Sequence, residues 1–322
     1  SIEIRAGLFQ TSPFSYDPPR LMQVLTLNTF LLDVRLFGRL PFYPPAPHVA
    51  PRLSALPGAL GEAGADVICL QEVFRRPHRQ FIARELAGAY PHNAGIRHPG
   101  LPLGTGLLVL SRHPIAWARP HEFRVSYMEQ KLIIRMGMLE CLVCHPALGH
   151  VRVINLHLVA GGLFGHPESA RAESVRAHQI AQALELAAGH DGCEGEEADV
   201  TVIAGDLNAG PHTSVKNYQQ MLDAGFTDIF AENDSCAMSA TDSSAAPRIT
   251  WDPANPMITG ARPMSLPPQR IDHVFVRARD GDPLRGGSAR VVFHETRVDV
   301  GGGWRVPLSD HYGILARIGT AD

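Results

Sequence analysis

Six places along the chain deliver polar side chains at the edges of short apolar runs: Asn28, Gln71-Glu72, His157, Asp206 with Asn208, Asp272, and Asp310-His311. Apolar runs of this kind read as buried strands, and sheet proteins build their sites where such strands end. Asp206 and Asn208 stand two residues apart in Gly205-Asp206-Leu207-Asn208, so along an extended chain they point the same way. A carboxylate beside an amide oxygen suits a hard cation such as Mg²⁺ and the phosphate it would hold. Taken singly, each position has an ordinary explanation: an Asn after a strand is a turn residue, a Glu is solvated, a lone His is a satisfied surface or core residue. Six together are much harder to explain that way.

Their chemistry is also complementary. Carboxylates and amide oxygens supply metal ligands, while His157 and His311 offer a general base and a donor to developing negative charge. A buried Asp272 would hold His311 in one tautomer and stabilise its protonated form. Together these groups ask for attack of water on phosphorus, with Mg²⁺ neutralising the phosphoryl oxygens and the leaving alkoxide.

The elements that must position these groups are readable from end to end. Residues 1–21 are irregular and proline-bearing, and 21–27 form a strand ending at Asn28. A Pro- and aromatic-rich loop over 37–48 precedes a helix over 49–63, interrupted or begun again at Pro57. Strands are expected over 66–70, 106–110, 133–144, 151–156, 200–204, 271–276, 289–294 and 312–318, and helices over 78–87, 168–188 and 214–224. The Ala-rich helix over 168–188 sets Val175, Ile180, Leu184 and Ala187 on one face, with Gly189 beyond its end. The Ser/Ala-rich stretch 235–246 reads as a mobile loop. Strands from start to finish with helices between them predict an α/β fold of two sheets packed face to face, helices outside, in one domain over 1–322.

Composition bounds the function. At 322 residues and 45% hydrophobic, the chain can fill a substantial core. A formal net charge of -3 gives no basic excess, which argues against a nuclease, because each phosphate contact draws a Lys or Arg. The five cysteines lack framework spacing, and Cys141-x-x-Cys144 lies in an apolar stretch without a partner pair; both read as buried small hydrophobes. No run reaches the roughly 18 apolar residues of a spanning helix. The first ten residues lack a basic start and apolar block, so the expectation is a soluble chain, secreted or peripheral to a membrane, with the compartment open.

The order and spelling of the motifs resemble the endonuclease/exonuclease/phosphatase superfamily of Mg²⁺-dependent phosphodiesterases. The match includes Leu27-Asn28, Leu-Gln-Glu-Val (70–73), Gly-Leu-Leu-Val-Leu-Ser-Arg (106–112), Asn-Leu-His-Leu (155–158), Gly-Asp-Leu-Asn (205–208), Arg-Ile-Asp-His-Val-Phe-Val (270–276) and Leu-Ser-Asp-His-Tyr-Gly (308–313). The resemblance implies a four-layer α/β/β/α sandwich of two packed mixed sheets with outer helices. It implies a metal set of Glu72 as principal ligand with Asn28, Asp206, Asn208, Asp310 and His311. Asp206 and Asn208 would position the water or a second ion, His157 would contact the scissile phosphate, and His311 would be the base, oriented by Asp272. The cofactor implied is Mg²⁺, with Mn²⁺ or another divalent cation as alternatives.

Within the superfamily the chain looks most like the neutral sphingomyelinase branch. Lys131 matches a lysine of that branch, its plain alternative being a gatekeeper charge at a strand edge. Ser174-Val175-Arg176 with Gln179, and Thr250-Trp251-Asp252 with Asn255, resemble two further segments of it. The implied activity is phospholipase C-type hydrolysis of sphingomyelin to ceramide and phosphocholine, with a nuclease or another phosphoesterase as the alternative. A silent scaffold is a third reading, and it has no need of a metal-ready pocket. Secreted bacterial members of the branch carry a long aromatic, membrane-inserting hairpin between the Asp272 and His311 motifs; here 277–307 offers only Phe293 and Trp304 as aromatics. The apolar segment 30–43, with Leu163-Phe164, is then either a lip that meets a membrane or a loop packed on the domain's own core.

Overall fold

The computed structural model describes residues 21–33, 35–36, 40–41, 46–95, 104–128, 134–161, 166–189, 197–230, 248–258, 266–279, 287–319, with backbone alone at 35–36 and 40–41. Lys131, Leu163-Phe164, the first twenty residues and the stretch 235–246 lie outside them.

The strands in chain order are β1 (Leu21–Asn28), β2 (Arg35–Leu36), β3 (Leu40–Pro41), β4 (Val67–Gln71), β5 (His92–Gly95), β6 (Leu108–Ser111), β7 (Ile115–Glu122) and β8 (Gly137–His145). They continue as β9 (Gly149–His157), β10 (Val200–Asp206), β11 (Thr227–Asp228), β12 (Asp272–Ala278), β13 (Ser288–Val292), β14 (Arg297–Asp299), β15 (Arg305–Pro307) and β16 (Gly313–Gly319). Helices α1 (Val49–Ala63), α2 (Arg76–Glu85), α3 (Ala170–Ala187) and α4 (Val215–Asp223) complete the description. Two six-stranded mixed sheets result, in the orders β13-β16-β1-β4-β6-β5 and β11-β12-β10-β9-β8-β7.

The period-2 alternation of strand side chains builds three apolar layers. Met22, Val24, Val67, Cys69, Val153, Val202 and Val274 face the space between the sheets. Their neighbours Leu25, Leu27, Ile68 and Leu70 turn outward onto Leu56 and Leu60 of α1 and Ile82 of α2. On the far side Ile154, Leu156, Ile203 and Phe275 meet Ile180 and Ala183 of α3 and Met221 of α4. Strand β10 is buried at all seven residues because both of its faces are covered. The expected four-layer sandwich is the observed one.

Several elements differ from expectation for identifiable reasons. Helix α1 runs unbroken through Pro57, which is buried like Leu56 and Leu60, so the helix is held by its packed face despite the missing hydrogen bond. It stops at Gly64, which takes the left-handed conformation (φ 71°) that a C-terminal cap requires. Helix α3 begins where Ser169 Oγ accepts from Ala172 N at 3.2 Å. Its buried face carries Arg176 and Gln179 alongside Ala172, Ile180, Ala183 and Ala187, while Val175 is only half-buried. Strands β5 and β7 and the β14–β15 pair were not anticipated. The sequence His-Asn-Ala-Gly of β5 lacks an apolar pattern, and β7 is a bulged edge strand containing Pro120. Cys69 and Cys141 are buried free thiols, and Cys144 is half-buried and free. No helix among the described residues is long and apolar enough to cross a membrane.

A cluster of Asp66, His113 and His145 sits at the start of β4, a strand's length from Glu72 at its other end. His145 Nδ1 accepts backbone N–H groups from Ala147 at 3.2 Å and Leu148 at 3.1 Å. That fixes the neutral tautomer with hydrogen on Nε2, leaving no lone pair for a cation. Burial and the neighbouring His113 lower the His145 pKa from 6.5 to about 4. The unfolded chain therefore binds the extra proton first, and stability contributed by this neutral ring is lost as pH falls from 6.5 towards 4. His145→Asn keeps an acceptor near the Nδ1 position but cannot take up the proton. Its thermal midpoint is expected to fall less than that of the parent between those two pH values; parallel curves would contradict this account.

Candidate active site

Strand register sets the six polar positions at one level. Strand β1 pairs with β4 in parallel, aligning Asn28 with Gln71, one residue before Glu72. In the other sheet β10 pairs with β9 in parallel and with β12 antiparallel, so Asp206 has His157 on one side and Asp272 on the other. His311 stands two residues ahead of β16, which is the antiparallel neighbour of β1. The sheets are tied beneath this level by a buried amide pair. Gln71 Nε2 donates to Asn155 Oδ1 at 2.7 Å, and Asn155 Nδ2 donates to the carbonyls of Leu70 (3.0 Å) and Leu108 (3.2 Å).

Asp206 Oδ2 is the hub. It accepts from Asn28 Nδ2 at 3.0 Å and lies 3.4 Å from His157 Nε2 and 3.7 Å from His311 Nε2. Asn28 Nδ2 also reaches Glu72 Oε1 at 3.4 Å, while Asn28 Oδ1 accepts from Phe30 N at 3.1 Å. His311 Nδ1 meets Asp272 Oδ2 at 2.8 Å. Asp310 Oδ1 accepts from Ser309 Oγ at 3.2 Å, and Asn208 Nδ2 donates to the Leu158 carbonyl at 3.0 Å. The structure thus brings together Asn28, Glu72, His157, Asp206, Asn208, Asp272, Asp310 and His311.

Local backbone explains why these residue types stand here. Glu72 (φ 60°) and Asn208 (φ 50°) both hold left-handed conformations, a strain that persists only where the surroundings enforce it. Gly205 (φ 147°) lies so close to β9 that a Cβ would meet the Leu156 carbonyl oxygen at 1.9 Å, so no other residue fits before Asp206.

Electrostatically the pit carries an excess of buried negative charge. Burial, reinforced by neighbouring carboxylates, raises the pKa of Glu72 against the opposing pull of His157 and His311. Burial likewise raises Asp272 and Asp310, with His311 opposing in both cases. For His311, burial lowers the pKa, but Asp272, Asp310 and Asp206 outweigh it and hold the imidazole well above its usual range. Opposite charges about 3 Å apart attract by on the order of 5 kcal/mol at an effective dielectric of about 20, comparable to the burial penalty; the further carboxylates decide the sign.

A cation fits this donor set. Among the described residues, the buried carboxylate oxygen Glu72 Oε2 and the ring nitrogen His157 Nδ1 meet no hydrogen-bond partner, and Asp272 Oδ1 lies beyond hydrogen-bond geometry of any. Orphaned oxygens of this kind are expensive unless a positive charge serves them. Asp206, Asp272 and His311 also place their ligand atoms within 4.8 Å of one another.

The resemblance picks out the segments of Thr250, Asn255 and Arg176 without a role, and the structure shows that these residues hold the pit in shape. Thr250 Oγ1 accepts the backbone N–H groups of Ile271 and Asp272, each at 3.1 Å, and Thr250 O accepts from Tyr312 N at 2.7 Å. Asn255 Nδ2 donates to Ser309 O at 3.0 Å, and Ser309 Oγ donates to Asn28 O at 2.7 Å. Arg176 spans the segment after His157, donating to the carbonyls of Val159 (3.0 Å), Ala160 (2.7 Å) and Pro167 (2.6 Å). Arg52 belongs to no motif, although it lies on the stripe of Leu56 and Leu60 at helical spacing, which is the available signal. Of the candidate lip, Leu31 is 1% exposed in the outer core and Leu32 packs against Phe74. Those two residues follow the plain alternative of a loop packed on its own core.

The model of the Endonuclease/Exonuclease/phosphatase family matches residues 25–311. A putative neutral sphingomyelinase of Drosophila melanogaster is 28% identical over 307 residues, covering 92% of this chain and 61% of that protein. The chain thus spans about three fifths of that relative's length. The crystal structure of sphingomyelinase C from Streptomyces griseocarneus superposes with a TM-score of 0.69 at 21% identity, covering 94% of this chain and 99% of that one. A mutant beta toxin from Staphylococcus aureus with bound magnesium ions gives 0.68 at 17% identity, covering 92% and 98%. These two structures share the fold. A family match that runs from the first core strand to His311, over a sandwich whose strand ends converge on one acidic pit, makes the chain a member of the endonuclease/exonuclease/phosphatase family, resembling its neutral sphingomyelinase-like branch.

Proposed function

We propose that this chain is a divalent-cation-dependent phosphodiesterase of phospholipase C type, acting as one catalytic domain that hydrolyses sphingomyelin to ceramide and phosphocholine. The observation that carries the reading is the convergence on Asp206 Oδ2 of Asn28, His157 and His311 within 3.0–3.7 Å, beside the unpartnered Glu72 Oε2. The similarity to proteins named as sphingomyelinases supports the choice of substrate. The magnesium ions of the beta toxin support the choice of cofactor.

Glu72, with Asn28, Asp206, Asn208 and Asp310 around it, would hold Mg²⁺ or another divalent cation. When bound, the cation supplies charge stabilisation to the phosphoryl and leaving oxygens. With the charge of a bound cation offsetting the carboxylates that raise its pKa, His311 Nε2 would take the proton of the water that attacks phosphorus, and Asp272 at Nδ1 fixes the tautomer that leaves Nε2 as the acceptor. His157, level with Asp206, donates to a phosphoryl oxygen as negative charge develops there. Asn208 and Asp206 orient the attacking water. Lys131, outside the described residues, is retained as an added donor to the phosphate on the strength of its sequence resemblance alone.

A panel of choline-, ethanolamine- and inositol-bearing lipids, with and without EDTA, tests the reading through the phosphorylated headgroup released. Phosphocholine from sphingomyelin, abolished by EDTA, is the expected result. Cleavage of plasmid DNA in Mg²⁺ with no lipid turnover would overturn it in favour of a nuclease.

A further inference from the structure

Arg52 is a cation buried beneath the pit, 1% exposed, and its donors are committed to carbonyl oxygens. Nε donates to Pro47 O at 3.0 Å, Nη1 to Thr29 O at 2.9 Å and to Leu308 O at 3.1 Å, and Nη2 to Phe30 O at 2.6 Å. Two of these carbonyls follow Asn28 directly and a third lies two residues before Asp310. These segments come from the first and last core strands' neighbourhoods, far apart in the chain, and one guanidinium joins them. The Phe30 ring also lies under the guanidinium, 5.6 Å from it to the centroid.

A buried guanidinium bonded to carbonyls is costly to desolvate, and a helix gains little by placing one in an apolar stripe. Burial lowers the Arg52 pKa to about 10, and the carboxylates that offset part of that cost, Asp310 and Glu72, belong to the pit. We propose that Arg52 is a positioning residue for the cation site: its planar fork fixes the spacing of the Asn28 and Asp310 segments, and its charge offsets the carboxylates gathered there. The inference rests on the reading of the pit as a divalent-cation centre. Lys cannot replace Arg in this role, because an ammonium on a flexible stem lacks the planar fork that reaches carbonyls on both segments.

The test is calorimetric titration with Mg²⁺ alone of the full chain and its Arg52→Lys variant, alongside circular dichroism and turnover at graded Mg²⁺. Outer residues that orient ligands typically change metal affinity by about 10–100-fold, and a weakening of that size is expected for Arg52→Lys with the fold retained. Turnover lost at low Mg²⁺ should return as Mg²⁺ is raised, which a purely structural defect would not do. If the parent chain binds no Mg²⁺, the cation reading itself fails. If the parent binds and Arg52→Lys binds equally well, only the role of Arg52 fails. A lysine variant that does not fold, or whose lost turnover excess Mg²⁺ does not restore, overturns that role too.

Discussion

His311→Ala is expected to lower turnover of sphingomyelin by about 10³–10⁴-fold near neutral pH, the upper range for loss of a positioned general base. The reason is geometric. His311 is the imidazole whose Nδ1 is bound to a buried carboxylate, at 2.8 Å from Asp272 Oδ2, while its Nε2 lies beside the hub oxygen of Asp206. The other imidazole of the pit, His157, has no partner at Nδ1 among the described residues and so no comparable orienting group there. Substrate release assays at saturating Mg²⁺ measure the effect, and circular dichroism checks the fold. Near-parental turnover by the alanine variant would assign the proton transfer elsewhere.

Glu72→Gln separates function from stability in opposite directions. The substitution keeps size and shape but removes a buried negative charge that sits among Asp206 and Asp310. Turnover should fall by about 10³-fold or more, and the heat of Mg²⁺ binding should vanish, because the principal charged ligand is gone. Yet in EDTA the thermal midpoint should equal or exceed that of the parent. The carboxylate is raised in pKa by burial and carries an unpartnered Oε2, so the metal-free protein gains by losing it. A variant that loses activity and also melts well below the parent would mark Glu72 as a structural residue.

Much of this site is legible in the sequence, and the reason is local. Asn28, Glu72, His157 and Asp206 each close an apolar run, so strand periodicity alone places them at sheet ends, and parallel pairing then brings them level. Asp272 and His311 were readable for the same reason from the other direction, at the starts of antiparallel strands. The illegible parts are tertiary. Arg52 reads as a surface charge on a helix and Arg176 as part of a matching segment without a role, and only the folded chain shows that their guanidinium groups are consumed by carbonyls of distant loops. Thr250 lies in a segment that the resemblance picks out, but only the fold shows its hydroxyl accepting the backbone N–H of Asp272 across 22 residues. Strand β5 escaped because four residues of His-Asn-Ala-Gly owe their extended form to pairing with β6, which no propensity records.

The central claim is that side chains from both sheets form one cation-binding centre at Glu72. Anomalous diffraction from crystals soaked in Mn²⁺ tests it without recourse to any substrate. The account predicts a peak at ligand distance, about 2–2.5 Å, from a Glu72 carboxylate oxygen. A peak at Asp66, His113 and His145 instead, or none in a crystal that still diffracts, would contradict it.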